Sequence, residues 1–264
     1  MRSLVLDISF YQDNPDTSYF VDFEIMKQSG VDGVILRIGQ NLWEDKKFGE
    51  YWKNSEGKGL LRGGYWYYDN RISPENQAEK CSSIIKKYGA KFDLPVFADF
   101  EDNRVGSEFP YMGWNNWYRF LTKLESLLPN VKLGVYTGYY YFLENAPKIQ
   151  PQRDYFGKYP LWIAQYPYST HMSPEYYNEP FIPTNTWKEW MFWQVSDRGD
   201  GRFHGVESSR VDINYYNGTK EDLHREFGIP DGIPPIIDPP AENEIKKEII
   251  LSYGDKRISY ESGE

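Results

Sequence analysis

Leu94-Pro95-Val96-Phe97-Ala98-Asp99-Phe100-Glu101-Asp102 reads as a short apolar strand that ends in carboxylates. A strand turns successive side chains to opposite sides, so Asp99 and Glu101, two residues apart, point the same way. Two strand rises set their Cβ atoms roughly 6.5–7 Å apart, near the separation at which two carboxyl groups act on a glycosidic bond. Each acid raises the pKa of the other, so the pairing is unfavourable unless something exploits it. Chemistry, an ion site and a salt-bridge network at a barrel rim are the three readings it allows. In the first, one carboxyl stays protonated as a general acid while the other is ionised and stabilises developing positive charge. Asp102 points the opposite way and reads as solvated or structural.

The same kind of run recurs along the chain, at Leu4–Ile8, Gly33–Gly39, Gly63–Tyr68, Lys132–Thr137, Leu161–Tyr166, Met191–Val195 and Val211–Asn214. With Leu94–Phe100 these make eight candidate strands. Most are continuously apolar, the pattern of parallel strands buried on both faces. Helical patterns separate the early ones. Ser73–Tyr88 opens on Ser73 as N-cap with Pro74 at the first helical position and closes at Gly89. Met112–Leu128 sets Trp117, Phe120, Leu121, Leu124 and Leu128 on one face. Asp22–Gln28 and Lys46–Leu61 are weaker candidates. Strand–helix alternation implies βαβ units, and eight strands in this length suggest closure. The expected fold is α/β, a single (β/α) TIM-like barrel, irregular, with eight strands and fewer than eight helices. Pro-rich chain fills Tyr166–Met191, and only a Gly-rich loop joins Val195 to Val211. Functional residues of such a barrel gather at the C-terminal ends of its strands. Asp7, Asp99 and Glu101 stand there, whereas Asp212 lies within the last short strand.

The barrel is assigned to residues 1–228. Pro230, Pro234, Pro235, Pro239 and Pro240 mark 229–240 as a stiff linker. Residues 241–264 form a short C-terminal tail. A hairpin turning at Gly254-Asp255, a helix followed by a strand, and the edge of a second domain all remain open for it.

A net charge of -9 argues against a nucleic-acid or anionic-membrane partner, which would need a basic stripe. No run approaches membrane-spanning length, so no membrane insertion is expected. The single cysteine, Cys81, excludes an intramolecular disulfide and reads as a small buried hydrophobe. His171, His204 and His224 have no ligand spacing, so neither a metal nor a cofactor is expected. Aromatic residues make up 18% of the chain, enough for both a core and platforms for sugar rings. Tyr65, Tyr67, Tyr136, Trp162, Tyr166 and Trp193 lie at or near strand ends, as core or as the lining of a substrate groove. Asp7 reads either as a turn cap or as a buried acid near the barrel centre, and Asp212 as a loop acid or part of the same group.

These residues, taken in order, resemble glycoside hydrolase family 25, the Chalaropsis-type N-acetylmuramidases of phages and bacteria. Asp7-Ile8-Ser9-Phe10-Tyr11-Gln12 is similar to the family's opening DxSxYQ. Gly33–Gly39 and Gly59–Tyr67 resemble its second and third strands, and Leu94–Glu101 its LPxxxDxE. Gly134–Thr137 and Leu161–Tyr166 resemble its fifth and sixth, and Trp193-Gln194 with Val211–Asn214 its closing WQ…VDxN. The resemblance covers roughly Leu4 to Tyr216. It implies a peptidoglycan hydrolase cleaving the β-1,4 bond from N-acetylmuramic acid to N-acetylglucosamine. By position Glu101 becomes the general acid, and Asp99 orients the substrate's N-acetyl group or stabilises an oxocarbenium-like centre. Asp7 and Asp212 complete an acidic floor. Direct attack by Asp99 and attack by the N-acetyl carbonyl both remain open.

The implied partner is the glycan strand of bacterial peptidoglycan. Met1–Asp7 shows no secretory leader, so action outside the cytoplasm is expected to follow phage release or virion association. The long charged segment Ser196–Arg210 is expected to reshape the groove. Two rival functions are a non-catalytic glycan-binding barrel of a phage or bacterial surface assembly, and a glycosidase for chitin-like polymers.

Overall fold

The computed structural model describes residues 1–13, 20–167 and 179–228, together with strands at 249–253 and 256–260. Eight strands close into a barrel: β1 (Leu4–Ile8), β2 (Val31–Gln40), β4 (Leu61–Tyr67), β5 (Val96–Phe100), β6 (Leu133–Gly138), β7 (Leu161–Ala164), β8 (Phe192–Asp200) and β9 (Arg210–Tyr216). A two-residue strand, β3 (Trp43–Glu44), folds back on the end of β2 as a hairpin. Each expected strand is present, and seven α-helices occupy the described residues.

The interior pattern follows from strand parity. Val5, Ile35, Phe97, Trp162, Phe192 and Tyr216 turn inward and plug the barrel with an apolar cluster. Their neighbours Leu6, Leu36, Ala98, Ile163 and Trp193 turn outward against the helices. Both faces are therefore dry, which is why the strands read as continuous apolar runs. The outer layer is α1 (Phe23–Gln28), α2 (Phe48–Asn54), α3 (Pro74–Lys87), α4 (Trp114–Leu127), α5 (Tyr139–Asn145), α6 (Gln150–Gly157) and α7 (Lys220–Phe227). Capping explains several starts. Asp22 accepts from Glu24 N at 2.9 Å and Ile25 N at 3.1 Å, and Ser73 accepts from Asn76 N at 3.4 Å before Pro74. Cys81 is fully buried in the outer core, and burial pushes its thiol pKa up. Among the described residues no helix is long and apolar enough to cross a membrane.

The parallel expectation fails at the last strand. Seven strands pair in parallel, but β9 runs antiparallel to both β8 and β1. Residues 201–209 are too short for a parallel crossover, which takes a dozen or more residues, so the chain returns as a hairpin. The Gly-rich segment is thus partly strand, since β8 runs on to Asp200. Its tip packs on the start of α1. Asp22 N donates to Gly205 O at 2.7 Å, and Gly205 has φ +74° where a Cβ would meet Asp22 O at 2.4 Å. None of residues 196–210 lines the barrel-mouth cavity, and the segment reaches its edge through Ser208 N, which donates to the carbonyl of the lining residue Gln12 at 3.2 Å.

Residues 229–264 form a unit separate from 1–228. In it β10 (Ile249–Tyr253) pairs antiparallel with β11 (Lys256–Tyr260). The linker assigned to 229–240, the turn Gly254-Asp255, His171 and part of the Pro-rich 166–190 stretch lie outside the described residues.

Candidate active site

At the C-terminal end of the barrel an open cavity of about 450 Å³ is lined by Asp7, Asp99, Glu101 and Asp212, with Tyr65, Tyr67, Tyr136, Trp162 and Tyr166 around them. Strand parity brings them together. On β5, Phe97 fills the plug, Asp99 stands above it, and Glu101 follows one residue past the strand end with its carboxyl open to the cavity. Neighbouring strands set Tyr67 and Tyr136 level with Asp99. Across the mouth, Asp7 on β1 faces Asp212 on β9 in register. Like charges directly opposite on a sheet repel, so this pair is stable only with a shared proton or with other partners.

Both are present. A hydrogen bond joins the two carboxyl groups, which requires a proton on one. Asp7 Oδ2 accepts from Asn214 Nδ2 at 2.8 Å and from Gln194 Nε2 at 3.1 Å. Those donors favour the anion at Asp7 and leave the proton on Asp212. Burial is the main cause of the raised pKa at Asp7. At Asp212 burial and then the Asp7 charge push the pKa up to about 9. Asp99 is raised well above the carboxylate range, first by burial and then by the Glu101 and Asp7 charges. Its Oδ1 is buried with no hydrogen-bond partner among the described residues.

Glu101 is pushed up to about 7, chiefly by desolvation among the cavity walls, against the lowering effect of a Tyr136 hydrogen bond. Tyr136 Oη lies 3.2 Å from Glu101 Oε2 and 2.9 Å from Gln194 Oε1, and has one proton to give. Tyr166 also donates to Gln194 Oε1, at 2.6 Å. The Gln194 amide oxygen thus takes the Tyr166 proton and competes with Glu101 for that of Tyr136, while its N–H goes to Asp7. Asn214 works likewise, accepting from Trp162 Nε1 at 2.8 Å while donating to Asp7. Burial holds the Tyr65 and Tyr136 phenols protonated well above their ordinary pKa.

Nine of the ten residues expected from the sequence line the cavity. Trp193 does not. It turns outward, packs 6.2 Å from Trp190 and donates to Gln165 O at 2.8 Å. Its neighbour Gln194 takes the inward position, because adjacent strand residues face opposite sides. Asp102 is structural rather than solvated, since it is buried and bonded to Arg104 Nε at 2.6 Å and Asn70 N at 3.0 Å. Gln194, Asn214 and Arg37 were not among the expected site residues. The first two stand inside the closing WQ…VDxN pattern, and Arg37 is the lone cation of the run Gly33–Gly39. Among the described residues no group of three or more His, Cys, Asp or Glu side chains is arranged to hold a metal ion.

Known proteins share this plan. The sequence profile of Glycosyl hydrolases family 25 matches residues 6–206. The chain is 28% identical over 226 residues to the uncharacterized protein YegX of Escherichia coli O157:H7, covering 83% of this chain and 71% of that protein. Its fold is similar to the bacterial lysozyme of Streptomyces coelicolor, with a TM-score of 0.66 at 20% identity over 86% of this chain and 98% of that one. The catalytic domain of endolysin ply40, from bacteriophage P40 of Listeria monocytogenes, gives 0.64 at 22% identity over 87% and 98%.

Proposed function

The chain belongs to glycosyl hydrolases family 25 and is a glycoside hydrolase, and from that premise we propose that it is an N-acetylmuramidase acting on the glycan strands of bacterial peptidoglycan. The bond cleaved is the β-1,4 link from N-acetylmuramic acid to N-acetylglucosamine. The observation that carries the reading is the division of states among four acids in one cavity. Glu101, with its pKa pushed up to about 7, keeps a large protonated fraction at neutral pH and opens to the cavity, while Asp99 presents a buried oxygen with no partner among the described residues.

Glu101 donates its proton to the glycosidic oxygen as that bond breaks. Asp99 Oδ1 takes the N–H of the 2-acetamido group and turns its carbonyl toward the anomeric carbon. The carbonyl oxygen forms a bond to that carbon as the leaving sugar departs. Water then opens the cyclic intermediate, giving its proton to the Glu101 carboxylate and its oxygen to the anomeric carbon. The Asp7–Asp212 pair supplies one negative charge beneath the developing cation, and Tyr65, Tyr67, Tyr136, Trp162 and Tyr166 wall the sugar. The likeness to a phage endolysin's catalytic domain supports a further proposal, that the chain is an endolysin or virion-associated lysin reaching the wall from outside the cytoplasm or by release at lysis.

Mass spectrometry of digested peptidoglycan tests the assignment. Muropeptides ending in reducing N-acetylmuramic acid are expected from the parent and not from Glu101→Gln. Fragments from both proteins remove Glu101 from its role. No fragments from either, with the fold verified, favour a glycan-binding barrel without catalysis.

A further inference from the structure

Beside the cavity lies an aromatic rim that the reaction above does not use. Tyr11 is 69% exposed and Trp43 37%. Phe10 packs between them, with ring centroids 4.2 Å from Tyr11 and 6.2 Å from Trp43. Adjoining exposed rings beside a cavity are a common mark of a ligand-binding surface. Their positions are also fixed. The Arg37 guanidinium lies over all three rings, 4.9 Å from the Phe10 centroid, 5.2 Å from Tyr11 and 5.3 Å from Trp43. Arg37 is itself held by Asp45, whose Oδ2 accepts from Nε at 2.6 Å. The hairpin that carries Trp43 is tied down at its turn, where Asn41 Nδ2 donates to Asp69 Oδ2 at 3.2 Å. Rings ordered before binding lose little entropy on contact.

Two observations connect the rim to the glycan. It is continuous with the cavity, because Tyr11 and Arg37 belong to both. Arg37 is only 6% exposed, yet its Nη2 has no hydrogen-bond partner among the described residues. A buried donor left unmade is costly, and an oxygen of a bound strand would satisfy it.

We propose that Phe10, Tyr11 and Trp43 form a sugar-stacking subsite that carries the glycan strand out of the cavity, with Arg37 Nη2 donating to a hydroxyl, ring or acetamido oxygen where the strand enters. The ligand class is a pyranose of the same strand, whose C–H face stacks on a ring while its polar edge stays in water. This rests on the glycan-hydrolase reading. The subsite makes the protein prefer long strands over short oligosaccharides.

The test measures binding by calorimetry in the Glu101→Gln background, using peptidoglycan-derived tetrasaccharide and decasaccharide, and hydrolysis of both by proteins with Glu101 intact. Trp43→Ala is expected to weaken decasaccharide binding about tenfold, or about 1.4 kcal/mol, and to leave the tetrasaccharide unchanged. Trp43→Phe keeps a stacking face and restores most of the decasaccharide affinity, which separates stacking from a general loss of the hairpin. An equal loss on both lengths, or none on either, overturns the subsite while parental hydrolysis leaves the enzyme reading intact. If the parent cleaves neither substrate but length-dependent binding depends on Trp43, the subsite stands and the hydrolase reading falls. Absence of binding at both lengths overturns both.

Discussion

Raising the pH should switch the enzyme off through Glu101, and the structure sets where. With its carboxyl at about 7, Glu101 is roughly nine-tenths protonated at pH 6 and roughly one-tenth at pH 8. A general acid must hold its proton, so kcat/KM on soluble glycan strands should fall about tenfold between those values, with a midpoint near 7. At the ordinary glutamate value of 4.5, most of the loss would be complete by pH 6. Tyr136→Phe removes the hydrogen bond that lowers the Glu101 pKa, so the basic limb should move to higher pH even as the maximal rate drops. The stability sign runs with it. The folded value lies above the unfolded one, so the contribution of Glu101 to stability is complete below about 4.5 and declines as pH rises through about 7. The assay is a kcat/KM profile from pH 4 to 9 for the parent and Tyr136→Phe, at constant ionic strength. A basic limb below pH 5.5 would refute desolvation as the source of the raised value, and a downward move in Tyr136→Phe would refute the lowering effect of the Tyr136 hydrogen bond.

The remaining expectations concern the supporting residues. Asp99 is buried and its pKa is raised by burial and like charges, so its stability contribution is present at acid pH and lost as pH rises through the folded value. Asp99→Asn should therefore raise Tm at pH 8 by about 2–6 °C, with the gain shrinking toward pH 4, while kcat falls at least about 100-fold. A Tm gain that is independent of pH would contradict this. Asn214→Ala strips Asp7 of its 2.8 Å donor and Trp162 Nε1 of its acceptor. Urea unfolding should show a loss of about 1–3 kcal/mol, and a neutral result would mean that the two groups find other partners. Gly205→Ala places a Cβ against Asp22 O at φ +74° and should cost about 1–2 kcal/mol, read as a lower urea midpoint with kcat unchanged.

Much of the fold was legible because each signal is local. Ser73-Pro74 and Gly89 bracket α3, and the apolar face of Met112–Leu128 marks α4, since caps and periodicity act within a few residues. Three helices escaped that reading. The run Tyr139–Asn145 is dominated by aromatics with strand-like propensity and lacks a side-chain cap. Gln150–Gly157 also starts without one. For Lys220–Phe227 a signal did exist, the capping box of Thr219 and Asp222.

The sequence by itself determined that Asp99 and Glu101 share a face, that acids end the strands, and that the ordered motifs belong to one family of hydrolases. These follow from a strand period of two and from residue order, which need no partner. Only the closed barrel decided the rest. It set Asp7 opposite Asp212 although 205 positions separate them in the sequence, turned the last strand antiparallel, and pointed Gln194 inward and Trp193 outward. The physical reason is that both faces of these strands are buried. Apolar and aromatic residues occur on either face, so composition does not say which one looks into the cavity. The raised carboxyl values share this origin, because desolvation depends on which atoms surround a group, and those atoms come from strands far apart in the chain.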